Sequence, residues 1–253
     1  RGRDKKNTVK NRNYISYDLN GNLILDTNKN ITNITYNHLN LPTSIDIDSG
    51  NISYIYDASG AKIKKTVSTN NNVMDYVNGY IYENGELQFL GQTEGYVSPD
   101  NAGNYNYVFQ YTDHLGNVRL SYTDGNGDRQ IRVEDDEIIE ENNYYPFGGK
   151  HRGYNGNVSA YGNDVAQRWK YNGKEYDESL GLETYDFGAR NYDPWIGRWM
   201  NLDPLAELMR RHSPYNYAFN NPIFFIDPDG MMPCPNGDCP EGPLTEQESN
   251  EVS

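Results

Sequence analysis

Cysteine, histidine, basic charge and long apolar runs are all scarce in this chain, and each scarcity excludes something. Cys234 and Cys239 are its only cysteines among 253 residues. They flank Pro235-Asn-Gly-Asp238, a turn sequence, so the alternatives are one local disulfide in an oxidising compartment or two free thiols. Two thiols alone do not make a zinc site. The four histidines, His38, His114, His151 and His212, are scattered and form no His-Glu-x-x-His arrangement. Basic side chains number 22 against 36 acidic ones, for a net charge of -14. That balance opposes nonspecific nucleic-acid binding, which needs a basic footprint. No stretch approaches the roughly 20 apolar residues of a membrane-spanning helix. There is no glycine-rich phosphate loop ending in Lys-Ser/Thr and no Gly-x-Ser-x-Gly elbow. The opening residues, Arg1-Gly-Arg-Asp-Lys-Lys6, include neither an initiator Met nor a signal peptide. The chain therefore reads as a piece of a longer protein, with any targeting signal outside it.

Tyrosine and turn residues are abundant instead. There are 23 Tyr against 7 Phe and 3 Trp, with 24 Gly. Tyrosine covers apolar area while its hydroxyl reaches water or a backbone group, which suits a thin sheet with one wet face. Tyr17, Tyr36 and Tyr56 recur at intervals of 19 and 20, each followed four residues later by Gly21, Asn40 or Gly60. Glycine and asparagine best tolerate positive φ, so each repeat predicts two strands joined by a tight turn. Such hairpins must stack, because one alone cannot bury its apolar face. Alternation in Ile52-Ser-Tyr-Ile-Tyr56 and Lys62 to Val67 supports the strands. Asn84-Gly85 predicts a further hairpin within residues 80–89.

A second block begins near Tyr144. Asp203 is placed to cap a short helix with Pro204 at its first position and Arg210 and Arg211 near its end. Glu134 to Glu141 offers a helical turn, against which its close like charges work. Beyond Pro233 the chain is rich in Pro, Gly and Glu and is expected to be disordered.

Several of these segments together resemble a known family. The Tyr17-Asp-Leu-Asn-Gly21 and Tyr56-Asp-Ala-Ser-Gly60 elements are similar to YD repeats. Tyr111-Thr-Asp-His-Leu-Gly-Asn-Val-Arg119 looks like the entry motif of the RHS repeat-associated core. The likeness continues through Tyr144-Tyr-Pro-Phe-Gly148, Tyr171-Asn-Gly-Lys-Glu175, Gly188 to Pro194, Gly197 to Pro204 and Asn220 to Gly230. Over residues 12–232 the chain resembles Rhs/YD-repeat proteins, in wording similar to the Bacteroidetes branch. The resemblance implies a mainly β fold in which YD-repeat hairpins form part of a spiral β-shell, or cocoon, with a short-helix and loop closing plug. It implies a shell segment at 1–110, a core or closing plug at 111–232, and the acidic start of a variable region at 233–253. It also implies a protein secreted from, or on the outer surface of, a bacterium. The partners implied are its own C-terminal cargo or toxin domain, a secretion machinery and an immunity protein for the cargo. Nucleic acid and direct membrane insertion are not implied, and no cofactor is.

The resemblance also singles out residues. Some relatives cut themselves just after the last Asp-Pro-x-Gly motif, using two aspartates. The matching positions here are Asp203, in Asp203-Pro204, and Asp227, in Asp227-Pro-Asp-Gly230, with the cut falling close to Met231. A nearby carboxylate pair can share one proton, leaving one acid and one base to activate water. The chain departs from the pattern: Asp203-Pro-Leu-Ala206 lacks glycine at its fourth position, and the two aspartates lie 24 residues apart, slightly wider than usual. The alternative roles are a helix cap for Asp203 and a turn for Asp227. Arg190 is the candidate orienting residue, or, with Arg198, a buried fork pinning loops. Trp169, Trp195 and Trp199 read as core packing rather than a ligand platform. Asp124, Asn126 and Asp128 place oxygens at alternating positions as calcium loops do, but Arg129 stands where an EF-hand needs glycine. An exposed turn is the competing reading there.

Three functions follow from different classes. The first is structural: the closing segment of a shell that encapsulates cargo. The second is an intramolecular aspartyl autoprotease that releases the cargo. The third is a surface adhesin or glycan-binding module, which requires aromatics on an exposed groove.

Overall fold

The computed structural model describes residues 14–100, 103–152, 159 and 161–235. Thirteen strands run in sequence order across one antiparallel sheet. They begin with β1 (Ile15–Tyr17), β2 (Leu23–Asp26), β3 (Ile31–Tyr36), β4 (Pro42–Ile47), β5 (Gly50–Tyr56) and β6 (Lys62–Val67). The sheet continues through β7 (Asn72–Val77), β8 (Tyr80–Glu83), β9 (Glu86–Gln92), β10 (Gly95–Pro99), β11 (Tyr105–Thr112), β12 (Val118–Tyr122) and β13 (Ile138–Glu141). Every hairpin expected from the tyrosine repeat is present.

The turns explain why. Asp18 Oδ1 accepts the amides of Asn20 and Asn22, both at 2.8 Å, and Gly21 has φ +77°. Asn37 and Asp57 build the same loop around Asn40 and Gly60. Asp113 repeats it around Gly116, and Asp100 Oδ1 likewise accepts Asn104 N, beside Gly103. In the loops starting at Asp18, Asp100 and Asp113 the last asparagine also donates its Nδ2 back to the carboxylate. The acceptor side chain therefore makes the turn, and the tyrosine before it serves the sheet. Tyr36 and Tyr56 donate their hydroxyls to the carbonyls of Leu23 and Pro42.

One sheet face is apolar and covered. Ile34, Ile45, Ile52 and Val67 pair in a row across β3 to β6, and all four are buried. Leu182 and Met200, from the chain beyond the sheet, close over them. Farther along, Met74, Ile81, Phe89, Tyr96, Val108 and Ile139 are covered by Val165 and Ala166. Each aliphatic side chain buried this way contributes roughly 1.5–3 kcal/mol. The opposite face stays open: Tyr105, Tyr107, Phe109 and Tyr111 are exposed along β11.

The covering layer contains a four-stranded sheet of β14 (Glu175–Asp177), β15 (Thr184–Asp186), β16 (Asn191–Asp193) and β17 (Arg198–Trp199), and a two-stranded ribbon of β18 (Phe225–Ile226) and β19 (Cys234–Pro235). Its aromatic core joins Tyr171, Tyr185, Phe187, Tyr192, Trp199 and Tyr217. An ionic seam ties it to the large sheet. Lys62 Nζ lies 2.6 Å from both Glu175 and Asp186, and Lys65 Nζ 2.6 Å from Asp177. Tyr76 and Tyr54 donate their hydroxyls to Glu175 and Asp177. Lys62 and Lys65 should point to opposite faces of a regular strand. A register shift between Ile55 and Tyr56, opposite Lys64 and Lys62, turns both lysines toward the same layer.

One local expectation is corrected. Residues 204–211 form successive turns, not a helix: the amides of Ala206, Leu208 and Met209 each bond three residues back, so the four-residue spacing of an α-helix is not made. The short helices present are 3-10 turns at Ala166–Arg168, Tyr171–Gly173, Ser179–Gly181 and Ala218–Asn220. Within Glu134 to Glu141, where like charges work against a helix, residues 133–136 make a tight turn leading into β13 (Ile138–Glu141), where Glu140 gains Lys170 as its ion partner at 3.1 Å. Cys234 lies in β19, whereas Cys239 and most of 233–253 fall outside the described residues.

Burial pushes Asp177 up, but Lys65 and the Ser179 amide win and hold its carboxyl at about 2. Its contribution to stability is therefore full above the ordinary carboxylate range and lost as pH falls toward 2. Replacing Lys65 with Met leaves that buried carboxylate unpaired and should cost about 3–5 kcal/mol at neutral pH. Lys65→Met/Asp177→Leu should recover most of it. Urea unfolding of the three proteins checks this, and an unchanged midpoint for Lys65→Met contradicts it.

Candidate functional site

The turn between β15 and β16 aims Arg190 inward. Asp186 Oδ1 accepts Gly188 N at 2.8 Å, and Phe187 N donates to Arg190 O at 3.1 Å. The guanidinium then packs over the face of Trp199, its central carbon 4.1 Å from the ring centroid. Two chain segments bring carboxylates to it. Asp203 follows β17, and Asp227 follows β18. Nη2 of Arg190 sits 2.9 Å from Asp203 Oδ2 and 3.1 Å from Asp227 Oδ2. Nε donates to the carbonyl of Gly230. The three residues singled out in the sequence are thus gathered on one cation, together with a backbone carbonyl that the sequence did not single out.

The Asp227-Pro-Asp-Gly230 turn is fixed on every side. Asp227 Oδ1 accepts Gly230 N at 2.9 Å, Asp229 O accepts Ala189 N at 3.0 Å, and Pro228 O accepts Lys174 Nζ at 2.6 Å. Gly230 has φ +81°, and a Cβ there would sit 3.0 Å from Arg190 N. Glycine is therefore required both by conformation and by space. Asp203 also holds its own turn, its Oδ1 accepting Leu205 N at 2.7 Å. With no helix following, Asp203 is a turn residue rather than the helix cap expected, and it holds that turn and Arg190 through different oxygens.

Arg190 and Asp227 are fully buried and Asp203 nearly so. Burial pushes Asp227 up to about 6 against the pull of Arg190, with Asp229 and Asp203 adding to the rise. Burial also raises Asp203, again against Arg190, and lowers the arginine. One buried cation thus faces two carboxylates that both resist ionisation. A carboxyl pair of which one member keeps its proton can supply an acid and a base together.

The other candidates are dispersed. Arg198 is half-buried, not core, and donates to Asn220 Oδ1 at 2.9 Å. Trp199 and Trp169 pack as expected, the latter 5.0 Å from Phe89. Trp195 does not: it is exposed, with Arg152 over its ring. In the 124–128 loop Asp124 Oδ2 accepts Arg129 N, and Asp128 pairs with Arg132, while Asn126 donates to Asp135. Among the described residues no group of three or more His, Cys, Asp or Glu is placed to hold a metal ion. No helix among them is long and apolar enough to cross a membrane.

No protein-family model matches the chain. It is 30% identical over 241 residues to salivary gland surface protein 1 of Aedes aegypti, covering 90% of this chain and 7% of that protein. It is 32% identical over 200 residues to toxin subunit YenC2 of Yersinia entomophaga, covering 72% of this chain and 20% of the relative. It is 28% identical over 234 residues to the tRNA nuclease WapA of Bacillus subtilis, covering 85% and 9%. The chain therefore spans a fifth or less of these relatives. Among solved structures, the TcdB2-TccC3-Cdc42 complex superposes with a TM-score of 0.62 at 22% identity, over 85% of this chain and 11% of that one. TcdB2-TccC3 without its hypervariable C-terminal region gives 0.57 at 22% identity, over 80% and 10%. At that identity the likeness bears on the fold alone.

Carbon-13 NMR titration of the Asp227 side chain should show a midpoint near 6, raised further in Arg190→Met because the cation's downward pull is gone. A midpoint at the ordinary value of 3.8 would contradict the description of this site.

Proposed function

We propose, from the premise that this chain is a segment of the Rhs/YD-repeat type, that it forms wall and closure of a shell enclosing the cargo that follows it. One observation carries the reading. A sheet built strand by strand in sequence order has its apolar face sealed by the very segment that succeeds it. A wall continued by further hairpins can curl into a spiral cocoon, leaving few open edges. Residues 1–110 are the repeat wall and 111–232 the closing segment, which shares the sheet through β11 to β13. Residues 233–253 are the start of the variable tail. The relatives support a scaffold role, because a salivary surface protein, a toxin subunit and a tRNA nuclease share this segment while their names share no activity. The protein works outside the cell or on a bacterial surface. Its partners are the cargo, a secretion machinery and an immunity protein. In the longer protein the segment after residue 235 should resist added protease until the wall is unfolded. Equal digestion of that segment in the native and unfolded protein contradicts enclosure.

A second reading, release of the cargo by self-cleavage, is favoured by the convergence of Asp203, Asp227 and Gly230 on Arg190. Water attacks the Gly230 carbonyl carbon while an ionised carboxylate takes its proton. Arg190 Nε stabilises the charge gathering on the carbonyl oxygen. The protonated carboxyl gives its proton to the Met231 nitrogen, the C–N bond breaks, and a Gly230 carboxyl and a Met231 amine result. Intact-mass measurement of the 29.0 kDa chain should show loss of the tail from about Met231. Asp203→Asn and Asp227→Asn should each abolish it. The rate should fall as pH rises through about 6, where Asp227 loses its proton. Cleavage unchanged in both variants contradicts the reading.

A further inference from the structure

The two aspartates are not equivalent toward solvent. Asp227 is sealed between Arg190 and the Gly230 amide. Asp203, its side chain 4% exposed, is at the edge of an open cleft of about 510 Å³ shared with Asn20, Asn37, His38, Asn40 and Asn201 and with three apolar residues. Neither Arg190 nor Asp227 lines this cleft. Its lining consists largely of side-chain amides and an imidazole, groups that hold water through two or more hydrogen bonds each.

The cleft is assembled from parts far apart in sequence. Its outer lip is two turns of the large sheet, that between β1 and β2 around Asn20 and that between β3 and β4 around Asn40. Its inner edge is the strand exit carrying Asp203. Leu23 N donates to Met200 O at 2.8 Å, and Asn201 Nδ2 to Asn40 O at 3.2 Å. Tyr215 donates its hydroxyl to Gly21 O at 2.8 Å, while Asp203 N reaches Pro214 O at 3.1 Å. Asn22 Nδ2 bridges the two turns at Asn40 Oδ1, 2.9 Å away. The wall turns thus hold the loop on which Asp203 stands.

We propose that this cleft is the route by which water reaches the carboxylate pair, so that Asp203 takes the proton from water and Asp227 supplies one to the departing nitrogen. The inference rests on the self-cleavage reading and adds to it a direction of entry and a role for each aspartate. Atoms balance: the attacking water gives its oxygen to the Gly230 carbonyl carbon and one proton to Asp203, its second proton stays with the new Gly230 carboxyl, and Asp227 gives its proton to the Met231 nitrogen in the single cleavage each chain undergoes. A consequence is that cleavage waits on wall assembly. Until the turns around Asn20 and Asn40 dock on residues 200–203 there is neither a shaped inlet nor a fixed Asp203.

The test narrows the inlet without touching the pair. His38 and Asn20 are exposed at its mouth. Asn20→Trp/His38→Trp should slow tail loss by about ten-fold or more, read by intact mass, while cooperative thermal melting is retained. If the double tryptophan variant melts without cooperativity, His38→Trp alone is judged by the same rate criterion. Cleavage at the parent's rate in a folded tryptophan variant, with Asp203→Asn and Asp227→Asn inactive, overturns the inlet and leaves the self-cleavage reading standing. If both asparagine variants cleave normally, or the parent never cleaves, the self-cleavage reading fails and takes the inlet with it.

Discussion

A buried guanidinium must have its charge and its five donors answered, and Arg190 is the point on which the closing segment is organised. It cannot lose its proton under ordinary conditions, so the chain must bring acceptors to it. It does so from two segments: the exit of β17 at Asp203, and the Asp-Pro-Asp-Gly turn, which supplies both Asp227 and the Gly230 carbonyl. Removing one partner from such a cluster leaves an uncompensated charge in the interior, which is far more costly than the net gain of forming the pair. The cluster consequently specifies one arrangement of loops rather than supplying the bulk of stability. That bulk comes from the apolar row under Leu182 and Met200 and from the aromatic core around Trp199.

The same logic runs through the seam between the two layers. Lys62 and Lys65 are too deeply placed to remain solvated, and Glu175, Asp177 and Asp186 answer them. Hydrophobic burial would permit the closing segment to slide over the sheet; ion pairs at fixed spacing do not. The wall and its closure therefore share one register. The polar cleft beside Asp203 is formed where the turns around Asn20 and Asn40 are held against residues 200–203.

Much of the wall was legible from spacing, because turn chemistry is local. Tyr17, Tyr36 and Tyr56 marked three hairpins, and Asn84-Gly85 a fourth. Tyrosine was nevertheless a proxy. The residue that builds each loop is the Asp or Asn after it, and a search for Asp-x-x-Gly-Asn would also have found the loops at Asp100 and Asp113. Asp203, Asp227 and Arg190 were legible through family resemblance, and their meeting was not, since it depends on contacts between distant segments. The lysine seam was hidden by a bulge that breaks strict alternation in β6. The helix expected at 204–211 was a reasonable reading of a cap and a following proline, but the segment folds as successive three-residue turns with Asp203 drawn to Arg190. No local signal marked the Gly230 carbonyl, because a backbone group carries no side-chain identity.

Hydrogen exchange read by mass spectrometry, comparing Arg190→Gln with the parent, addresses the organising role of the arginine most directly. The account predicts that the amides of Ala189, Asp203 and Gly230, each bonded within this cluster, lose protection together while β3 to β6 keep theirs. Unchanged protection at those three amides in the variant would contradict it.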